Sequence, residues 1–206
     1  MKDFVILNDI IKNTIYDIRY YSNYNFVGER INGYEDPIAV TTKKCAEQLI
    51  KVNNFLNKNG LGLKIYDAYR PKSAVEHFVI WAKDINNTKM KDIFYPNVDK
   101  SVLFDKGYIA FKSSHSRGST IDLTLINLKT KEELDMGGSF DLFDESSHFD
   151  YKNLTNEQLN NRKLLQNTMM ENGFVPLKEE WWHFTLKNEP YPDTYFDFKI
   201  NRKWFH

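Results

Sequence analysis

The chain carries the sequence SSHSRGSTIDLTLI at residues 113–126, in which a polar loop runs into a segment of alternating polar and apolar side chains. Alternation with a period of two predicts a β-strand over residues 120–125. The apolar residues from Ile109 predict a second strand that leads into the loop. Gly118 lets the loop double back, because glycine adopts backbone conformations closed to other residues. We therefore expect strand, loop and strand over residues 109–126.

Helical and strand patterns follow one another irregularly on both sides of this stretch. Residues 41–59 have apolar side chains at helical spacing and end before a glycine, which predicts a helix. Residues 61–67 predict a strand, and Pro71 suits the first turn of a further helix. The capping-box pattern of residues 155–158 opens another helix, and residues 174–186 predict a last strand region. This mixture indicates an α+β fold with a central, mostly antiparallel sheet flanked by helices.

Length and composition predict a single domain. A chain of 206 residues is long enough for one domain with a core and short for two. We expect that domain to span residues 1–206, with a C-terminal tail of about residues 187–206 packed on it. The 28 basic and 28 acidic residues cancel, which argues against nucleic acid as a partner.

Cysteine content and hydropathy restrict the remaining classes. Cys45 is the single cysteine of the sequence, which excludes an internal disulfide and a multi-cysteine zinc cluster. The apolar run at residues 4–7 is short for a signal peptide, and no segment approaches the roughly 18 apolar residues of a membrane helix. We therefore expect a cytoplasmic protein with no membrane partner. Any metal site must use histidines and carboxylates.

Two candidate metal ligands, His115 and Asp122, lie in the stretch around Gly118. Imidazole and carboxylate are ligand types that Zn²⁺ accepts where no thiolate is available. Asp122 lies between Ile121 and Leu123 in a predicted strand, and a buried carboxylate needs a partner. That partner is either a metal ion or an arginine, and this pair of residues alone leaves both interpretations open.

Glu180 and His183 form a second candidate pair, within the sequence EEWWHF at residues 179–184. On a helix this spacing would place both on one face. The aromatic residues favour a strand, in which residues three apart point to opposite faces. A shared site then requires Glu180 to lie in the turn before the strand or at a bulge. The structural alternative is an aromatic core strand with a surface pair of glutamates.

Arg70 lies at the end of one predicted strand and just before a helix, where binding residues often project into a cleft. Taken alone, it is explained by a surface salt bridge with Asp67. Combined with His115, Asp122 and His183, it completes a set that matches a metallohydrolase. Three ligands leave a fourth zinc position for water. A further carboxylate can take the proton of that water, and a cation can stabilise an oxyanion.

Together these motifs resemble the M15 metallopeptidase family and, within it, its VanX-type D-alanyl-D-alanine dipeptidase branch. The family pattern Ser-x-His-x-x-Gly-x-x-x-Asp matches residues 113–122, and Glu-x-x-His matches residues 180–183 with their paired tryptophans. Residues 67–71 resemble the arginine motif of the family. Residues 20–28, and residues 134–141 followed by 146–148, are similar to blocks found in the dipeptidases. The resemblance covers the chain from about residue 13 to about residue 186.

The resemblance implies a zinc site in a cleft, with one Zn²⁺ per chain and a small dipeptide as substrate. Its implied roles are His115, Asp122 and His183 as zinc ligands, Glu180 as catalytic base, Arg70 as oxyanion stabiliser, Asp141 and Asp67 at the substrate ammonium, and Ser113 and Tyr20 near the substrate. Thr120 and Gly138 depart from the residues common in the family, alanine and threonine respectively. No ligand is missing from the pattern.

Two other functions fit parts of the same pattern. A D,D-carboxypeptidase or L,D-peptidase acting on peptidoglycan stem peptides would use the same zinc site with a more open cleft. A non-catalytic zinc-binding protein is the third interpretation, and the presence of Glu180 and Arg70 argues against it. The sequence predicts no role for His77, His148 or His206, and no oligomeric state.

Overall fold

A computed structural model describes residues 2–205, so His206 lies outside the described residues. Along these residues the chain forms β1 (Phe4–Ile6), α1 (Leu7–Ile10), β2 (Ile15–Tyr16), β3 (Val40–Thr42), α2 (Lys43–Lys58), β4 (Leu61–Asp67), α3 (Lys72–Lys83), α4 (Lys91–Phe94), β5 (Thr120–Asn127), α5 (Asn156–Glu171), β6 (Phe174–Leu177) and β7 (Glu180–Leu186). Five of the strands make the main sheet in the order β2-β4-β5-β7-β6. Only the short β2–β4 pairing within it is parallel. The predicted α+β fold with a mostly antiparallel sheet is confirmed.

The helices begin where the sequence supplies caps. The side chain of Thr42 accepts a hydrogen bond from the amide of Cys45 and opens α2. Thr155 and Gln158 form the reciprocal capping box predicted for α5. Strand β4 has the predicted bounds, and Pro176 lies on β6, where an edge strand tolerates a residue without an amide hydrogen.

Strand β5 runs through the centre of the sheet and is buried from Thr120 to Ile126. It pairs with β4 on one side and β7 on the other. The register places Asp122 opposite Asp67 of β4 and opposite His183 of β7. Residues that are far apart in the sequence thus meet in one row across three neighbouring strands.

The strand predicted from Ile109 up to the polar loop is wrong. Residues 109–113 have no regular secondary structure. The amide of Ile109 donates to the carbonyl of Leu103, and Phe111 is 70% exposed. Because both edges of β5 are already paired with β4 and β7, this apolar segment has no place beside it.

The tail after β7 packs against the N-terminal half of the chain. The ring of Phe198 stacks on Tyr69 with centroids 4.1 Å apart, and Phe196 meets Phe4 edge-on at 5.1 Å. The backbone of Ile200 bridges to Tyr34. Among the described residues, the helices are all too short or too polar to cross a membrane.

Candidate metal centre and cleft

Three side chains converge at the row where β4, β5 and β7 lie side by side. His115, Asp122 and His183 each offer one ligand atom, and these atoms lie within 4.8 Å of one another. His115 Nε2 is 3.1 Å from Asp122 Oδ2 and 3.3 Å from His183 Nδ1. His183 Nδ1 is 3.2 Å from Asp122 Oδ1. The first two side chains are buried, and that of His183 is 12% exposed.

The loop at residues 113–118 aims His115 at this point. Residues Ser114–Arg117 form a single 3₁₀ turn, and the side chain of Ser113 accepts from the amide of His115. Gly118 ends the turn with φ +85°, and a Cβ there would lie 2.4 Å from the ring of Phe4. Only glycine fits both the left-handed backbone and this close approach. The predicted reversal at Gly118 is confirmed.

Each imidazole is held by one nitrogen and presents the other to the centre. His115 Nδ1 is 2.7 Å from the carbonyl oxygen of Ala68, to which it donates in the tautomer that leaves Nε2 free. His183 Nε2 is 3.2 Å from Ser114 Oγ, which leaves Nδ1 facing the other two side chains. Partners of this kind orient histidine ligands in metal sites.

The charges at this point favour a bound cation. Asp122 Oδ1 is buried, and its contact with His183 Nδ1 at 3.2 Å lacks the geometry of a hydrogen bond. Burial favours a raised pKa for Asp122, but the imidazoles of His115 and His183 hold that pKa well below its usual value. Burial lowers the pKa of His183, whereas the neighbouring carboxylates of Asp122 and Glu180 raise it, to about 9 overall. Two imidazole nitrogens and an unsatisfied carboxylate oxygen are a donor set that suits a metal ion.

Glu180 is the first residue of β7, next to the place where the β6–β7 register shifts. Its Oε2 lies 3.2 Å from His183 Nδ1. Its side chain is one-third exposed and lines the cleft. The sequence required a turn or bulge for Glu180 and His183 to share a site, and the register shift supplies one.

Arg70 leaves the end of β4 and turns towards the same point. Its Nε donates to Asp67 Oδ2 at 2.8 Å, and its Nη2 donates to Asp122 Oδ2 at 3.3 Å. The guanidinium carbon lies 4.8 Å from the ring centroid of Tyr20 and 5.4 Å from that of Phe78. The ion pair with Asp67 exists, but the side chain of Arg70 is only 13% exposed, so this is not a surface salt bridge.

Asp141 is a second buried carboxylate, and Tyr20 donates to its Oδ2 at 2.8 Å. Its backbone has φ +61°, a left-handed conformation that is uncommon for residues other than glycine. Burial, reinforced by the nearby charge of Asp122, raises the pKa of Asp141 well above its usual value. A cation beside Asp141 would stabilise its ionised form.

A cleft of about 230 Å³ joins these groups. Its polar lining residues include Tyr20, Arg70, Ser113, Ser114, His115, Asp122, Asp141, Glu180 and His183. The irregular segment 107–112 supplies part of one wall, and Phe26, Phe78 and Phe143 supply apolar surface.

Asp67 lies one layer behind this cleft and does not line it. Its Oδ1 accepts from the hydroxyl of Tyr34 at 2.6 Å, and its Oδ2 accepts from Arg70 Nε. Of the residues predicted near the substrate, the structure therefore brings Asp141, Ser113 and Tyr20 together, and it places Asp67 elsewhere.

Tyr34 contacts Asp67 and Ser114 contacts His183, and the sequence motifs predicted neither contact. Ser114 is adjacent to His115, and that proximity was a usable signal. Tyr34 has no motif around it, so only its contact with Asp67 draws attention to it.

Comparison with known proteins identifies the family. A model of the M15 peptidase family, described as D-Ala-D-Ala dipeptidase, matches residues 1–201. A D-alanyl-D-alanine dipeptidase of Enterococcus faecium is 42% identical over 197 residues, which cover 96% of this chain and 98% of that protein. One of Streptomyces coelicolor is 39% identical over 198 residues with the same coverage, and one of Escherichia coli is 32% identical over 170 residues, covering 82% of this chain and 77% of that protein. A match of this extent, to a family whose metal requirement the His-Asp-His cluster can meet, shows that the chain belongs to the M15 family of metallopeptidases and is a hydrolase.

Proposed function

We propose that this chain is a zinc-dependent dipeptidase that hydrolyses D-alanyl-D-alanine to two molecules of D-alanine. The observation that carries the proposal is the convergence of three ligand atoms within 4.8 Å in a small cleft, beside a carboxylate and a guanidinium. The relatives, which are D-alanyl-D-alanine dipeptidases, support this choice of substrate.

His115 Nε2, Asp122 and His183 Nδ1 are the proposed zinc ligands. Zinc is preferred over other divalent ions because two imidazoles and one carboxylate form a ligand set found in catalytic zinc sites. When bound, zinc would polarise the scissile carbonyl and lower the pKa of water to about 7. The contacts of His115 with Ala68 and of His183 with Ser114 keep the two rings oriented for this role.

Glu180 is the proposed general base. Its carboxylate lies beside His183 at the rim of the cleft, where it can accept a proton from the attacking water and return it to the leaving amine. Glu180 is better suited to this role than to binding metal, because His183 Nδ1 and Asp122 already occupy the central positions.

Arg70 is the proposed stabiliser of the oxyanion. It is held between Asp67 and Asp122 and lines the cleft, so its remaining N–H groups can donate to an oxygen that becomes charged during attack. Tyr20 and Ser113 line the same cleft and are proposed to contact the substrate.

Asp141 is the proposed partner of the substrate's free ammonium. It is a buried carboxylate with a raised pKa, it lines the cleft, and Tyr20 fixes one of its oxygens. An ammonium group supplies the positive charge that this position lacks. A substrate whose amino group is blocked would leave the Asp141 carboxylate buried without that partner.

The choice between a dipeptide and a peptidoglycan stem depends on what lies beside the cleft. The cleft of about 230 Å³ adjoins two further cavities, which share Ser113 and Glu180, respectively, with it. Hydrolysis of D-alanyl-D-alanine, measured by amine release beside a pentapeptide stem, tests the proposal. We expect the dipeptide to be the better substrate, and turnover of the stem alone would establish the carboxypeptidase alternative instead.

Zinc is expected to bind at about one equivalent per chain, and His115→Ala should lower zinc retention after dialysis against a chelator. The reason is that His115 contributes one of three converging ligand atoms. His77→Ala is the matched control, because His77 is bonded to Glu29 away from the cleft. Full zinc retention in His115→Ala, measured by metal analysis, would show that the ligand assignment is wrong.

Asp141→Asn is expected to slow hydrolysis of free D-alanyl-D-alanine and to reduce its advantage over the N-acetylated dipeptide. Asparagine keeps the shape and the contact with Tyr20 but removes the negative charge. The ratio of kcat/KM for the two substrates measures the effect. An unchanged ratio would remove Asp141 from ammonium recognition.

A further inference from the structure

Arg70 is fixed by a chain of contacts that begins outside the cleft. Tyr34 donates from its hydroxyl to Asp67 Oδ1 at 2.6 Å, and Asp67 Oδ2 accepts from Arg70 Nε at 2.8 Å. Tyr34 and Asp67 are each 1% exposed, and neither lines the cleft. The hydrogen bonds of Tyr34 and Asp67 therefore lead to the cleft through Arg70.

The backbone around Tyr34 is itself clamped by the C-terminal tail. The amide of Ile200 donates to the carbonyl of Gly33 at 2.7 Å, and the amides of Glu35 and Asp36 both donate to the carbonyl of Ile200 at 3.0 Å. The ring of Tyr34 meets that of Tyr20 edge-on, with centroids 5.7 Å apart. The hydroxyl of Tyr34 thus has a defined position relative to the sheet.

The orientation of the Asp67 carboxylate depends on the hydrogen bond from Tyr34. His115 Nδ1 is 3.7 Å from Asp67 Oδ2, but it is bonded to the carbonyl of Ala68 at 2.7 Å. The hydroxyl of Tyr34 is the hydrogen-bond donor recorded at Asp67 Oδ1. Without this hydroxyl the Asp67 carboxylate would be free to rotate, and the Arg70 guanidinium bonded to it would move as well.

We propose that Tyr34 is a positioning residue for this reaction: through Asp67 it sets the orientation of Arg70 in the cleft. The inference rests on the proposed role of Arg70. Since a group that stabilises the transition state must be placed closely, a small misplacement of Arg70 lowers turnover more than it weakens substrate binding.

The test compares Tyr34→Phe with Tyr66→Phe. Tyr66 is a matched control, because it is also 1% exposed and its hydroxyl donates to a carboxylate, Glu133 Oε2, at 2.6 Å, rather than to Asp67. In the zinc-loaded chain, Tyr34→Phe should lower kcat roughly tenfold with little change in KM, because a misplacement of about 1 Å costs up to about 100-fold. Tyr66→Phe should leave kcat within about twofold, because its lost bond orders no group in the cleft.

Combining Tyr34→Phe with Arg70→Ala distinguishes a positioning role of Tyr34 from a general disturbance of the fold. In an Arg70→Ala background, Tyr34→Phe should change kcat by less than about twofold, since the residue it acts through is gone. If Tyr34→Phe lowers kcat by the same factor in the Arg70→Ala background as in the unmodified chain, the inference is overturned. Asp67→Asn provides a second route to the same readout if Tyr34→Phe does not fold.

A spectroscopic readout does not depend on activity. In the nitrogen-15-labelled chain, the Arg70 Nε–H signal should shift in Tyr34→Phe and stay in place in Tyr66→Phe. If Arg70→Ala leaves kcat intact, the proposed role of Arg70 fails and the inference falls with it. If Arg70→Ala lowers kcat but Tyr34→Phe behaves like Tyr66→Phe in both readouts, the inference alone fails.

Discussion

Glu180→Ala should lower kcat on D-alanyl-D-alanine by at least about 10³-fold while zinc and fold are retained. General acid–base catalysis contributes about 10²–10⁴-fold, and Glu180 is proposed to perform both proton transfers, which places it in the upper part of that range. Its carboxylate lies 3.2 Å from His183 Nδ1 at the rim of the cleft, and the three ligand atoms converge without it.

Glu179→Ala is the matched control for this experiment. Glu179 is the adjacent exposed carboxylate and does not line the cleft that contains the His-Asp-His cluster. We expect it to keep kcat close to that of the unmodified chain and to retain zinc. If Glu180→Ala keeps more than about a tenth of kcat with full zinc content, it supplies less than the low end of general-base catalysis, and the mechanism is wrong.

Arg70→Ala should lower kcat by roughly 10²–10³-fold, the loss seen when one oxyanion donor is removed. Zinc should stay bound, because both imidazoles are oriented by partners other than Arg70. Asp122 loses its contact with Arg70 Nη2 but keeps its contacts with His115 and His183. The proposed partner of Arg70 is charge that develops only in the transition state, so KM should change much less than kcat.

Arg19→Ala separates this effect from the loss of any buried ion pair. Arg19 is 10% exposed, its Nε donates to Asp17 Oδ2 at 2.9 Å, and it does not line the cleft. We expect kcat to be retained in Arg19→Ala, and the unfolding transitions of both variants are measured to correct for stability. A change confined to KM in Arg70→Ala would move Arg70 from oxyanion stabilisation to ground-state binding.

Much of the secondary structure follows from local patterns. Strand β4 has the predicted bounds, and the helix over residues 43–58 lies within the predicted 41–59. The capping box at Thr155 forms as expected. These predictions are confirmed because periodicity and capping depend on interactions within a few residues. The strand predicted from Ile109 is wrong because a strand also needs a free neighbouring edge, and β4 and β7 already occupy both edges of β5.

The sequence by itself determined the types of group available for chemistry. With one cysteine, a metal site had to use histidines and carboxylates. For Glu180 and His183 to share a site, their spacing required a turn or a bulge in the strand. Only the tertiary structure decided which of these groups meet. The register of β4, β5 and β7 puts Asp67, Asp122 and His183 in one row, and the fold then places Asp67 behind Arg70 and in contact with Tyr34. Contacts between strands that are distant in the sequence depend on how the whole core packs, so the alternation within one strand does not specify which residues it faces.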